Sequence, residues 1–244
     1  MRTPVLLACA HGTDNRIGQA TISSIVAQIQ ARLPETRVIE TYVDVQHPQV
    51  GEVLDGVEPA TPTVVVPLLL SFGYHVGFDI AKAVQKRSAT GPSCASTPLG
   101  PHKDLALIQQ DRIEALQVAG DCVVVVAAAG SSDARAQRDV EQQVELLRAA
   151  LGGHVQVRHG YLSAAEPKVH TVVEEVLETS PTATVVISSY LLAPGFFQDK
   201  LHKIAVDANE RVGAQTVQVT QPLGADSRLA DIAVERYLEA ITHL

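Results

Sequence analysis

The sequence predicts an α/β protein made of two similar domains, each a four-stranded parallel sheet flanked by helices. Short apolar runs alternate with segments in which apolar residues recur at helical spacing, the pattern of repeated β–α units. The apolar runs are continuous, as is typical of parallel strands buried on both faces. This pattern is complete by about residue 119 and then begins again.

The first half predicts four strands, each followed by a helix. The predicted strands are Val5–Ala10, Arg37–Asp44, Thr63–Ser71 and Ser93–Thr97. The predicted helices are Gly18–Leu33, a short helix after Pro48, a helix containing Ile80, Ala83 and Val84, and Lys103–Val118. Prolines support these bounds, because Pro34 cannot continue the first helix and Pro48 suits the first turn of the second.

The second half repeats the first at an offset of 119 residues. Ala10–Asp14 aligns with Ala129–Asp133, and later in the chain Tyr42 aligns with Tyr161. The repeat predicts domains at 1–119 and 120–244 with a cleft between the two. The metal site predicted below belongs to the first domain. We expect flavodoxin-type strand order 2-1-3-4 in each domain.

Three polar residues of the first half follow predicted strands. His11 ends the first strand, Asp44 the second, and His75 comes after the third. The carboxyl ends of neighbouring parallel strands meet at one sheet edge, where such folds bind their ligands. Two imidazoles and one carboxylate suit a first-row divalent metal and leave coordination positions open for chemistry. We therefore predict His11, His75 and Asp44 as metal ligands.

The second half lacks these groups. The alignment places Gly130 opposite His11 and Ser163 opposite Asp44, and no histidine occurs around residues 193–195. A residue needed only for folding would more often be kept in both copies, so the difference indicates a function confined to the first half. His47, close to Asp44, is a reserve ligand.

Composition excludes several other functions. The net charge is −8, with an excess of acidic residues in both halves, so nucleic-acid binding is not expected. The three cysteines form no CxxC pair, and the sequence has neither a signal-peptide pattern nor an apolar run of about 20 residues. We therefore expect a cytoplasmic protein that does not bind membranes. The P-loop, GxGxxG and GxSxG motifs are absent as well.

The histidine motifs resemble those of a known family. His11-Gly12 and the segment Gly73–Ile80, together with Tyr42–Pro48, resemble the class II sirohydrochlorin cobalto- and ferrochelatases of the CbiX/SirB type. The resemblance covers nearly the whole chain, including the duplicated form. The family carries Glu where this chain has Asp44, which is one methylene shorter.

The resemblance implies a lyase that inserts Fe²⁺ or Co²⁺ into sirohydrochlorin without ATP, for sirohaem or cobalamin biosynthesis. Ni²⁺ is a further candidate, and no cofactor is implied beyond the metal substrate. His11 and His75 would then be catalytic, holding the metal and accepting pyrrole protons. Six cations are candidates for binding the substrate carboxylates: Arg16, Lys82, Lys86, Arg87, Lys200 and Lys203.

Two other functions remain open at this point. A non-catalytic carrier of metal or tetrapyrrole would use the same histidines but would saturate at one equivalent. A two-lobed periplasmic binding protein would need an export signal, which the sequence does not show. Because the chain already holds two copies of the fold, we expect a monomer.

Overall fold

A computed structural model describes residues 3–73, 75–214 and 216–244, with the backbone alone for residues 75–77. The strands are β1 Val5–Ala10, β2 Val38–Tyr42, β3 Thr63–Pro67, β4 Ser93–Ala95, β5 Cys122–Ala128, β6 Gln156–Tyr161, β7 Thr184–Tyr190 and β8 Val217–Val219. The helices are α1 Arg16–Arg32, α2 Val50–Gly56, α3 Ala81–Ser88, α4 Lys103–Glu114, α5 Ala134–Ala150, α6 Val169–Thr179, α7 Phe196–Val212 and α8 Ser227–Ile241. A π-helix, His75–Ile80, leads directly into α3.

Each half of the chain forms an all-parallel sheet of four strands. The strand orders are β2-β1-β3-β4 and β6-β5-β7-β8, which confirms the predicted α/β class and 2-1-3-4 order. The central strands β1 and β5 are buried because helices cover both faces of each sheet. Among the described residues, no helix has both the length and the hydropathy needed to cross a bilayer.

The compact units differ from the sequence repeats because each repeat contributes its last helix to the unit formed by the other repeat. Unit 1 comprises residues 1–100 and 225–244, and unit 2 comprises residues 101–224. Helix α4 of the first repeat therefore packs on α5 and β7, whereas α8 of the second repeat packs on α1 and β3. The boundary near residue 119 was predicted between the repeats of the sequence, whereas the compact units divide at residues 100 and 224.

Backbone geometry corrects the alignment of the repeats around His11. Ala10 pairs with Tyr42, and Ala128 pairs with Tyr161, so β1 and β5 are related by 118 residues. The counterpart of His11 is therefore Ala129 and not Gly130 as predicted. The relation of Asp44 to Ser163 is retained, since their amides donate to the equivalent carbonyls of His11 and Ala129.

The third strand is shorter than predicted. β3 ends at Pro67, although Leu68 still donates its amide to the Cys9 carbonyl. His75 therefore does not end a strand and instead begins the π-helix. The two units differ here by one residue, since Gly73 matches Gly195 whereas the buried Ile80 matches the buried Leu201. A π-helical turn accommodates one extra residue and is often found at functional sites.

Candidate functional site

His11 and Asp44 lie at the carboxyl edge of the unit 1 sheet. His11 follows β1 directly, Asp44 follows β2 by two residues, and both side chains are exposed. The Asp44 amide donates to the His11 carbonyl at 3.0 Å, which continues the parallel pairing of the two strands. The structure thus brings these two predicted residues together.

Gly12 makes the close approach of the two loops possible. Its φ is +99°, and a Cβ atom there would lie 2.2 Å from the Asp44 carbonyl oxygen. Only glycine combines this conformation with the absence of a side chain. The His-Gly pair is therefore a structural unit, in which the glycine allows the loop that carries His11 to pack against the backbone of Asp44.

Further hydrogen bonds connect the loops after β1 and β2. Thr13 donates its amide to the Gln46 side-chain oxygen at 2.9 Å, and Gln19 donates its side-chain amide to the Thr13 carbonyl at 2.8 Å. The Asn15 side chain then caps α1 by accepting from the amides of residues 17 and 18. These bonds hold the loops in place, as a reactive site requires.

The His11 ring lies against its own backbone. Nδ1 is 3.3 Å from the Gly12 carbonyl oxygen. A proton on Nδ1 would donate to this carbonyl and leave the ring's lone pair on Nε2, the arrangement that orients histidine ligands in metal sites.

The third predicted ligand, His75, lies outside the described side chains, so its relation to His11 and Asp44 stays a prediction. Within the described part of the chain, no three His, Cys, Asp or Glu side chains form a metal-binding group. The reserve ligand His47 is exposed and lies 3.0 Å from the Glu52 carboxylate. That hydrogen bond is the main reason why the pKa of Glu52 is lowered.

Four of the six candidate cations, among them Lys200, donate hydrogen bonds within their own units. Arg87 is buried and donates to backbone carbonyls of residues 58 and 61, so it supports the fold and is not available to a substrate. Lys86 pairs with Asp55 at 2.6 Å, and Lys203 pairs with Asp207 at 2.9 Å.

Lys200 donates to the Leu162 carbonyl at 2.6 Å. Arg16 is exposed at the start of α1. Lys82 lies with its Nζ 5.8 Å from the centre of the Phe78 ring, within the range of a cation–π contact.

A groove in unit 1, which the sequence did not predict, lies beside these residues. It has a volume of about 610 Å³ and runs between α2 and the π-helix with α3. Its lining includes Val43, the neighbour of Asp44, together with Phe78 and Lys82. The feature of the sequence that could have indicated this groove is Gly51, a glycine in the first turn of a helix.

Cys9, two residues before His11, is fully buried and is therefore not a candidate ligand or nucleophile at the exposed sheet edge. Burial is the main cause that raises the pKa of its thiol to about 12, and the charge of Asp79 adds to the shift. Because the thiolate is the reactive form, this thiol is inert near neutral pH.

Two parallel α/β units repeat one design, and one of them has a histidine and a carboxylate at its sheet edge, as the resemblance to the chelatase class implies. A family model described as CbiX matches residues 5–116 and again residues 123–240, and the chain belongs to this family. The resemblance predicted from the histidine motifs is thereby confirmed.

Individual relatives agree with this assignment. A sirohydrochlorin ferrochelatase of Priestia megaterium is 25% identical over 217 residues, which cover 84% of this chain and 80% of the relative. SirB from Bacillus subtilis with Fe³⁺ matches with a TM-score of 0.80 and 22% identity, covering 97% of this chain and 95% of SirB. SirB from Bacillus subtilis subspecies spizizenii in complex with cobalt matches with a TM-score of 0.80 and 19% identity, covering 97% and 94%. The solved structures show that the fold is that of a chelatase.

Proposed function

We propose that this protein is a sirohydrochlorin chelatase, a lyase that inserts a divalent metal into the tetrapyrrole without ATP. One observation carries the proposal: exposed His11 and Asp44 are joined at the edge of β1 and β2, where unit 2 has Ala129 and Ser163. Membership in the CbiX family and the ferrochelatase relative support it.

The proposed chemistry follows from the residue types. Metal insertion breaks two pyrrole N–H bonds, forms the bonds from nitrogen to metal, and releases two protons. Imidazoles accept protons near pH 7, so His11 and His75 are suited to hold the arriving metal and take up these protons. The Asp44 carboxylate supplies a negative ligand that favours the dication.

Fe²⁺ and Co²⁺ are the candidate metals of this proposal, with Ni²⁺ as a third. Imidazole and carboxylate ligands accept all three, and metal availability often decides among them. The relatives solved with Fe³⁺ and with cobalt are consistent with both principal candidates. The pathway, sirohaem or cobalamin, would follow from the metal. A cytoplasmic monomer with a cleft between its halves stays a prediction.

The test is metal insertion by purified protein into sirohydrochlorin, followed by absorption without ATP, with Co²⁺ and anaerobically with Fe²⁺. We expect many turnovers per protein molecule. His11→Ala and Asp44→Ser give unit 1 the residues that unit 2 has at these places, so the fold should tolerate both. Each variant is expected to lower the rate at least about 100-fold.

Circular dichroism and thermal unfolding of the variants provide the control for folding. Saturation at one equivalent of metal or tetrapyrrole would contradict the proposal and favour a carrier. Full activity of both variants would contradict the site.

A further inference from the structure

The lining of the groove of unit 1 includes Val43, the residue before Asp44 of the proposed metal site. Along α2 and α3 it includes Gly51, Lys82 and Lys86. Phe78, which also lines the groove, is 49% exposed, which is high for a large apolar side chain. A space of about 610 Å³ admits a side arm of a ligand whose main body lies at the sheet edge.

The lining has one cation without an ion pair in the described part of unit 1. Lys86 is neutralised by Asp55 at 2.6 Å. Lys82 instead lies over the Phe78 ring, and a neutral ring leaves the ammonium charge available to an anion. Asp79 also lines the groove, so anion binding here depends on the position of Lys82 and not on a net positive field.

Unit 2 has an equivalent groove between α6 and α7, but its volume and its lining differ from those of the groove in unit 1. Its volume is about 330 Å³, roughly half that of the groove in unit 1. His170 replaces Gly51 there, since both follow the first residue of the second helix of their unit. Lys203, the counterpart of Lys82, is paired with Asp207 at 2.9 Å. Thus unit 1 alone combines the larger space with a lysine outside an ion pair.

We propose that the groove between α2 and α3 binds one carboxylate arm of the tetrapyrrole, with Lys82 as its counter-charge and Phe78 against the macrocycle. The inference rests on the proposed function, because the ligand it names is that substrate. A flat conjugated ring stacks favourably on an exposed aromatic side chain. Lys82, one turn along, then places a donor for a charge-assisted hydrogen bond to an attached carboxylate.

The first test measures binding of metal-free sirohydrochlorin by absorption titration, together with the steady-state kinetics of insertion. Lys82→Gln removes the charge but keeps most of the side chain. We expect Kd and KM for the tetrapyrrole to rise roughly three- to tenfold, with little change in kcat. Added salt should weaken binding to the wild type more than to the variant. Lys103→Gln, which removes the charge of an exposed lysine of unit 2 outside the candidate cations, is the control and should leave Kd unchanged.

A second variant tests the space itself. Gly51→His gives α2 the residue of α6, and an added Cβ at Gly51 meets no atom within 4 Å. Histidine also has a higher helix propensity than glycine, so the fold should be retained. We expect weaker tetrapyrrole binding, with a midpoint of thermal unfolding no lower than that of the wild type.

The outcomes separate this inference from the proposed function. Sirohydrochlorin turnover with equal Kd values for wild type, Lys82→Gln and Gly51→His would overturn the groove assignment and leave the chelatase. If the wild type neither binds nor metallates sirohydrochlorin, the proposed function fails, and the inference fails with it.

Discussion

Gly12 is the single residue on which the geometry of the candidate site most depends. Its φ is +99°, and a Cβ atom at this position would lie 2.2 Å from the Asp44 carbonyl oxygen, so any side chain must force the two loops apart. Gly12→Ala is expected to destabilise the fold by about 1–3 kcal/mol. It should also lower the affinity for Co²⁺, because it displaces Asp44 from His11. Urea unfolding and Co²⁺ titration measure the two effects.

Gly130 in unit 2 is an internal control for this prediction. Its φ is +93°, and its Cβ would lie 2.2 Å from the Ser163 carbonyl oxygen. Gly130→Ala should therefore cause a similar loss of stability without changing Co²⁺ affinity. Equal losses of Co²⁺ affinity in the two variants would show that Gly12 has no specific role at the metal site.

At the scale of single residues, the sequence predicted the residue types of the site better than the alignment of the site with the second repeat. His11 and Asp44 were recognisable because polar residues ended apolar runs, which marks the edge of a buried sheet. The counterpart of His11 was misplaced by one residue, because letter matching aligned the helix cap Asp133 with Asp14. Hydrogen bonding shows that the caps are Asn15 and Asp133.

Among the elements, α4 shows why a helix of one repeat joins the other unit. Its Gln109 is buried, accepts from the Gln143 side chain and donates to the Ser188 hydroxyl, both at 3.0 Å. The positions in unit 1 that match Gln143 and Ser188 hold Ile25 and Val66. On its own repeat's sheet, α4 would leave the Gln109 amide without partners, at a cost of about 1–3 kcal/mol.

This explanation predicts coupling between Gln109 and Ser188. Gln109→Leu alone leaves the Ser188 hydroxyl and the Gln143 amide unsatisfied, and Ser188→Val alone leaves the Gln109 amide short of a partner. The double variant removes both sides of that contact, so it should be more stable than the sum of the single effects by roughly 0.5–3 kcal/mol. Urea unfolding of the four proteins gives the coupling, and simple additivity would refute a role of this pair in the exchange.

Helical periodicity could not predict the exchange. The pattern Leu105, Ile108 and Ile113 shows that α4 has an apolar face, but not which sheet that face covers. The same limit applies to the π-helix at His75, because one additional residue in a helix leaves no mark in the apolar spacing. Continuous apolar runs, by contrast, identified β1 and β3, since strands buried on both faces have no other pattern.

For the whole molecule, the burial of tyrosine and cysteine side chains makes the stability of the fold depend on pH at high pH. The pKa of Tyr161 is raised to about 12, mainly by burial, and burial raises the pKa of Tyr42 and Tyr190 as well. Cys9 acts at lower pH than the tyrosines, because its thiol has an ordinary pKa of 9.0 and a folded pKa of about 12. Unfolding lets these groups ionise, so the stability that they contribute is fully present below pH 9 and is lost as the pH rises toward 12.

Cys9 should contribute to the first part of this loss, between pH 9 and pH 10, together with Cys94 and Cys122, whose thiol pKa values burial also raises. A group that ionises only in the unfolded state costs about 1.4 kcal/mol per pH unit. Cys9→Ala, which supplies the residue of the equivalent position Ala127, should therefore lose on the order of 1 kcal/mol less free energy of unfolding than the wild type between pH 8 and pH 10.

The net charge of −8 also becomes more negative at high pH, and repulsion among surface charges is screened by salt. Urea unfolding in low and high salt separates the two causes: the difference between wild type and variant should persist in salt, and its disappearance there would assign the loss to surface repulsion.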